Sequence, residues 1–160
     1  MQKLLFITWS VSYGYGTEKS LAAVLNKFDD SKYDISILPL FKYSNNSIFN
    51  CNIKILDPII DYTNSELDKA EELKKYYSLL ANPLLFNKWI REKYDCIIAC
   101  NHNAPSYFAS YIVGGKKIIW IRGDMAELDY TELDKNTKEY KQVKQEYEMQ
   151  AMYWKHLMRL

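Results

Sequence analysis

Short apolar runs alternate along this chain with segments of helical periodicity, and this alternation limits its fold more than any other feature. The unbroken apolar runs are typical of strands buried on both faces of a sheet. Strands are predicted at residues 4–7, 33–40, 52–56, 96–100 and 116–121. Helices are predicted at residues 17–28, 66–80, 83–90, 105–113 and from 138 nearly to the end. This order predicts one doubly wound, mainly parallel, Rossmann-like α/β domain over residues 1–160.

Charge and cysteine content exclude several classes of function. The 21 basic and 20 acidic residues leave a net charge of +1, so we expect no nucleic-acid partner. Three cysteines without a CxxC pair indicate neither a disulfide framework nor a zinc ribbon, and we expect no metal and no cofactor. Cys96 and Cys100 are predicted to be small core residues. The first residues lack the features of a signal peptide, which favours a cytoplasmic setting.

The first of three loops at the predicted carboxyl edge of the sheet contains Gly14, Tyr15, Gly16 and Thr17. Its glycines would let a ligand approach the backbone, and the helix that follows, with Thr17 as its expected N-cap, would present free N–H groups. A phosphate or diphosphate suits that place. The loop has no third glycine at Rossmann spacing and no GK[ST], so a plain strand-to-helix turn is the alternative interpretation.

Polar residues also follow the two later strands, at the edge where such sheets bind ligands. His102 lies between Asn101 and Asn103 after one strand, and Arg122 precedes Asp124 after the other. His102, Arg122 and Asp124 are therefore the candidate catalytic residues. The alternatives are a histidine that bonds only to loop backbone and an Arg–Asp surface pair of small energetic value.

The rim residues also resemble a known family. The segment KLLFITWSVSYGYGTEKSLAAVLNKFDDSKYDISILPL is similar to the opening of family-4 retaining glycosyltransferases of the GT-B fold. In that family a strand leads to a glycine-rich loop, an acidic–basic pair (here Glu18–Lys19) and an aliphatic helix. The segment YDCIIACNHNAPSYFASYIVGGKKIIWIRGDM resembles the family's later part, in which a lysine-led strand ends in an aromatic-Ile-x-x-Asp rim. The family often has histidine where this chain has Arg122.

The resemblance implies the acceptor-side, N-terminal half of a GT-B enzyme that transfers a sugar from a nucleotide-sugar donor to a glycan or lipid-linked acceptor, as in cell-envelope polysaccharide synthesis. Residues 14–17 would then lie at the donor diphosphate, and Glu18, Asn101 and Asn103 at the acceptor. The family's C-terminal, donor-binding domain is expected to be absent, so we expect no appreciable transferase activity from this chain alone. A non-catalytic Rossmann- or flavodoxin-like module for a phosphorylated small molecule, and a partner protein without a site, are the alternatives.

Two surfaces suggest macromolecular contacts. Residues 69–94 carry six basic and three acidic residues with interleaved aromatics. They fit either an amphipathic helix pair packed on the sheet or a peripheral contact with the anionic inner face of a membrane. The last predicted helix has more apolar residues than one stripe would hold, and a second copy of the chain or a further domain would cover the remainder.

Overall fold

The computed structural model of the protein describes residues 1–12, 16–63, 69–101, 104–120 and 134–138, together with Tyr140, Lys141, Lys144 and Glu148. The strands of this part are β1 (Gln2–Ser10), β2 (Tyr33–Lys42), β3 (Lys54–Ile55), β4 (Ile60–Asp61), β5 (Cys96–Ala99) and β6 (Lys116–Ile119). Its helices are α1 (Gly16–Leu25), α2 (Lys69–Ala81), α3 (Ala104–Tyr111) and a 3₁₀ helix (Pro83–Lys88).

The strands form one parallel sheet in the order β3-β2-β1-β5-β6, and β4 also pairs with β2. The chain first builds outward from β1 through β2 to β3, and then returns to place β5 and β6 on the other side of β1. The direction of winding therefore reverses between β1 and β5, where parallel sheets open a crevice at their carboxyl ends. This topology confirms the predicted doubly wound, Rossmann-like α/β fold.

Helices cover both faces of the sheet because its central strands are apolar on both sides. On one face, Leu4 and Phe6 of β1 pack with Leu21 and Leu25 of α1. On the other face, alternate residues of the same strands pack against α2, the 3₁₀ helix and α3. The second cluster consists largely of fully buried side chains, among them Leu5, Ile7, Phe86, Ile97 and Phe108.

Several element boundaries differ from the sequence prediction. β1 and β2 extend beyond their apolar runs, because Gln2 pairs with Tyr33 and Ser10 pairs with Phe41. The predicted strand at 52–56 narrows to β3, and β4 was not predicted. Residues 83–88 form a 3₁₀ helix where an α-helix was expected, after a start at Pro83 that was predicted correctly. α1 begins at Gly16, so Thr17 lies inside the helix and is not its N-cap.

Local interactions mark the ends of two helices. Gly114 and Gly115 follow α3 with φ values of 82° and 69°, the left-handed conformation that ends helices and favours glycine. The predicted start of the last helix at Lys138 agrees with Thr137, whose hydroxyl oxygen accepts a hydrogen bond from the backbone N–H of Tyr140 at 3.1 Å. The apolar end of that helix lies outside the described residues.

The cysteines are free, and they differ in burial. Cys100 is buried beside α1, as predicted. Cys96 is only partly buried, at the start of β5, and burial raises the pKa of its thiol. Cys51 is exposed. Cys96 therefore meets the prediction of a core residue only in part.

Candidate functional site

An open pocket of about 680 Å³ lies at the carboxyl ends of β1 and β2. One side is formed by the first residues of α1, namely Gly16, Thr17, Glu18 and Ser20. The opposite side is formed by the strand ends, namely Trp9, Ser10, Phe41 and Tyr43. We call this cavity the carboxyl-edge pocket. It lies beside the point where the winding of the sheet reverses, the place at which doubly wound folds bind their ligands.

Serine hydroxyls hold the two strand ends together beyond the regular ladder. The hydroxyl oxygen of Ser10 accepts a hydrogen bond from the backbone N–H of Ser12 at 3.0 Å. The hydroxyl oxygen of Ser12 in turn accepts from the backbone N–H groups of Tyr43 at 3.0 Å and Ser44 at 3.1 Å. Both serines are buried. These bonds fix the position of Tyr43 at the mouth of the pocket.

Glu18 is the chemically distinctive residue of the pocket. Only 3% of its surface is exposed, although carboxylates are almost never buried without partners. Its Oε2 accepts a hydrogen bond from the Thr17 hydroxyl at 2.8 Å. The position in the first turn of α1 adds the partial positive charge of the helix start. The pocket therefore has a hydrogen-bond acceptor, held in place by a helix, on one side.

Aromatic rings form the other side. The rings of Trp9 and Phe41 stack at 5.6 Å between centroids with an interplanar angle of 9°. Tyr43 stacks on Phe41 at 6.1 Å and on Tyr62 at 5.1 Å. Trp9, Phe41 and Tyr43 line the pocket, and Tyr62 supports Tyr43. We call these four residues the aromatic wall. Tyr43 is half-exposed, so one part of the wall is open to a ligand. Sequence reasoning missed this feature, and its signal was the spacing of Phe41 and Tyr43 at the end of a buried strand.

Asn101 supports the wall from the end of β5. With its amide oriented so that both of its polar groups have partners, its side-chain oxygen accepts a hydrogen bond from the indole N–H of Trp9 at 3.0 Å. Its backbone oxygen also accepts a hydrogen bond from the Ser106 hydroxyl in α3. Asn101 thus contacts the pocket through Trp9 and helps to orient that ring.

The predicted site residues fall into two groups. Gly16, Thr17 and Glu18 line the carboxyl-edge pocket together, and Asn101 lies behind it. The others lie outside the described residues: Gly14, Tyr15, His102, Asn103, Arg122 and Asp124. The structure therefore brings Gly16 and Thr17 of the first predicted loop close to Asn101, the first residue of the second loop.

No protein-family model, curated protein or solved structure matches the chain. The fold and the pocket define a doubly wound α/β domain with a ligand-sized cavity at its carboxyl edge. Within the described ranges, no group of three His, Cys, Asp or Glu side chains could hold a metal ion. In the same part of the chain, no helix has the length and apolar character needed to cross a membrane.

Proposed function

We propose that this chain is the acceptor-side domain of a nucleotide-sugar-dependent glycosyltransferase, and that the carboxyl-edge pocket binds a hydroxyl-bearing sugar of the acceptor. The observation that carries the proposal is the buried Glu18 carboxylate opposite the aromatic wall. A carboxylate accepts strong hydrogen bonds from sugar hydroxyls. The negative face of an aromatic ring suits the weakly positive C–H groups on the flat side of a sugar ring.

The charge of the pocket favours an acceptor sugar over a donor diphosphate. A free helix N-terminus attracts phosphate, but here the first turn of α1 already contains the carboxylate of Glu18. A diphosphate beside Gly16 and Thr17 would lie next to the negative charge of the adjacent Glu18, which opposes its binding. A neutral sugar has no such penalty. The residues predicted for the donor diphosphate therefore fit the acceptor better.

Glu18 would act in this proposal as the group that orients the acceptor. Its Oε2 is engaged by the Thr17 hydroxyl, so the carboxylate has a fixed position against the pocket. An acceptor hydroxyl that donates a hydrogen bond to the Glu18 carboxylate would have its own oxygen held in one place. The sugar ring would then lie against Tyr43. His102, Arg122 and Asp124 remain the candidate catalytic residues, and the sugar donor comes with a further domain.

Glycan binding tests the proposal directly. A panel of neutral oligosaccharides is titrated into the protein and binding is followed by calorimetry or by NMR chemical shifts. Glutamine keeps an acceptor oxygen but loses the charge, which is worth about 1–1.5 kcal/mol in such a bond, so Glu18→Gln is expected to weaken glycan binding about 5- to 10-fold. Tyr43→Ala is expected to weaken it about 2- to 10-fold.

Tyr77→Ala is the matched control, because Tyr77 is an exposed tyrosine on α2 that does not line the pocket. It is expected to leave binding unchanged, and circular dichroism checks that all three variants fold. The acceptor assignment fails if nucleotide diphosphates bind at this pocket and Glu18→Gln strengthens their binding. Steady sugar transfer by the chain alone would contradict the idea that it supplies only one half of the enzyme.

A peripheral membrane contact is a second proposal, and it has its own observation. Tyr77 and Leu84 are 61% and 63% exposed, and the exposed Lys74 lies one helical turn from Tyr77. Exposed apolar side chains flanked by lysines suit an anionic bilayer surface. Leu84→Ser is expected to reduce co-sedimentation with anionic vesicles at low salt, whereas Val24→Ser on the other face is not. Absence of any vesicle binding by the unaltered protein would rule the contact out.

A further inference from the structure

A second cavity, of about 560 Å³, lies on the side of the sheet that carries α2 and the 3₁₀ helix, between β3 and residues 88–94. None of its lining residues belongs to the carboxyl-edge pocket. Glu92 in its lining contacts Lys3, whereas Trp9 of the other pocket lies six residues further along β1. At roughly 3.3 Å per residue, those two positions on the strand are about 20 Å apart. The two cavities are thus independent sites.

The negative charge of Glu92 is already compensated inside this cavity. Its carboxylate oxygens contact the Nζ atoms of Lys3 at 2.6 Å and Lys54 at 2.5 Å. Hydrogen bonds from Lys3 and Lys54, together with their charges, lower the pKa of Glu92 to about 2. Lys3 Nζ also lies 3.9 Å from Oδ2 of Asp34, so these two lysines are balanced by two carboxylates.

Two further cations make the lining of the cavity positive. Lys88 and Arg91 both line the cavity and are exposed. In the part of the chain that the structure describes, neither of them forms an ion pair. Asp57 is the other carboxylate of the lining, so positive charge predominates. A guanidinium and an ammonium in the lining of one cavity match a phosphate group, the first through paired N–H donors and the second as a point charge.

The lining of the cavity also contains the flat, apolar indole ring of Trp89. The half-buried indole of Trp89 is supported by Phe86, whose ring centroid lies 6.3 Å away. The buried Tyr94 belongs to the same lining. An apolar wall with a few charged groups at one end is the usual form of a small-molecule site.

We infer that this second cavity binds a free phosphorylated small molecule. The phosphate lies between Lys88 and Arg91, and the remainder of the molecule packs on Trp89. This site is separate from the proposed acceptor pocket, so it adds a second ligand to the protein. Binding at one cavity can be lost while binding at the other persists.

Calorimetric titration with pyrophosphate and with adenosine monophosphate tests the inference. Lys88→Gln and Arg91→Gln are each expected to weaken binding of both probes about tenfold, and the double variant to abolish it. Trp89→Leu is expected to weaken binding of the nucleotide but not of pyrophosphate, because only the nucleotide has a ring to stack. Lys27→Gln is the matched control, since Lys27 is an exposed lysine after α1 on the other face of the sheet. It is expected to change nothing.

Glu92→Gln is expected to change pyrophosphate binding in the opposite direction. Removing this carboxylate takes away the negative charge beside Lys54, so pyrophosphate binding should become stronger by severalfold. The inference is overturned if the unaltered protein binds neither probe at millimolar concentration, or if Lys88→Gln and Arg91→Gln behave like the Lys27 control. Vesicles with anionic headgroups test the other source of a phosphate group. Vesicle binding that depends on Lys88 and Arg91 and is not competed by pyrophosphate would overturn the assignment to a free molecule.

Discussion

Replacing each of the two glycines after α3 by alanine isolates the cost of one close backbone contact. Gly114 and Gly115 have similar positive φ values of 82° and 69°, so alanine at either position is strained by about 1–2 kcal/mol. A Cβ at Gly114 would meet nothing within 4 Å. A Cβ at Gly115 would lie 2.6 Å from the backbone oxygen of Tyr94 and 3.3 Å from Cδ1 of Ile97. The second substitution therefore also forces the backbone to move.

Overpacking of this kind typically costs a further 1–3 kcal/mol. We therefore expect Gly114→Ala to lower the free energy of unfolding by about 1–2 kcal/mol, and Gly115→Ala to lower it by about 2–5 kcal/mol. Urea unfolding followed by circular dichroism measures both, provided that the slope of the transition is unchanged. The backbone N–H of Lys116 donates to the oxygen of Asp95 at 2.9 Å, so the added movement disturbs the pairing of β6 with β5. Equal losses for the two variants would refute the reasoning.

Three more predictions follow from single positions. Gly16→Ala should keep the free energy of unfolding or raise it by up to about 1 kcal/mol, because the added Cβ meets nothing within 4 Å; urea unfolding measures this, and a large loss would contradict it. Glu92 has a pKa of about 2 in the folded protein against an ordinary 4.5, so its contribution to stability is present above about pH 4.5 and is lost as pH falls towards 2. The free energy of unfolding of Glu92→Gln, measured by urea unfolding at a series of pH values, should therefore fall less steeply between pH 4.5 and 2 than that of the unaltered protein. The same pH dependence in both proteins would argue against the two lysine contacts. Phe108→Ala should cost about 3–5 kcal/mol, because Phe108 is fully buried and stacks on Phe86 at 4.2 Å; thermal unfolding shows it, and a loss below about 1 kcal/mol would contradict the packing.

The sequence predicted strands and helices well where the burial of a segment produces an apolar pattern within that segment. β5 was located within one residue because Ile97, Ile98 and Ala99 are buried on both sides of the sheet. The ends of β1 were not, since Gln2 and Ser10 belong to the strand through pairing with β2 and not through their composition. β4 consists of two residues, too few for any period to be visible.

The candidate site was predictable in position but not in character. Glycine and threonine before a helix pointed to the carboxyl edge, and Gly16 and Thr17 do line the pocket there. Burial of Glu18 was not predictable, because a glutamate in a first helical turn is normally exposed and nothing local distinguishes this one. The aromatic wall depends on the pairing of β1 with β2, which sets Ser10 against Phe41 and so brings the ring of Trp9 within stacking distance of Phe41. Register is a tertiary property, so single segments do not reveal it.

The two short strands on the outer side of β2 affect how copies of this protein behave towards one another. β3 and β4 each pair with β2 over two residues, at different heights along that strand. A continuous, flat strand would offer a template on which a second chain could add its own strand, whereas two interrupted pieces do not. Among the described strands, β6 lies at the opposite border, and it begins with Lys116 and Lys117, whose charges oppose such addition. Both borders that the described strands form thus oppose edge-to-edge pairing of copies, and such pairing would not be expected to cover the carboxyl-edge pocket.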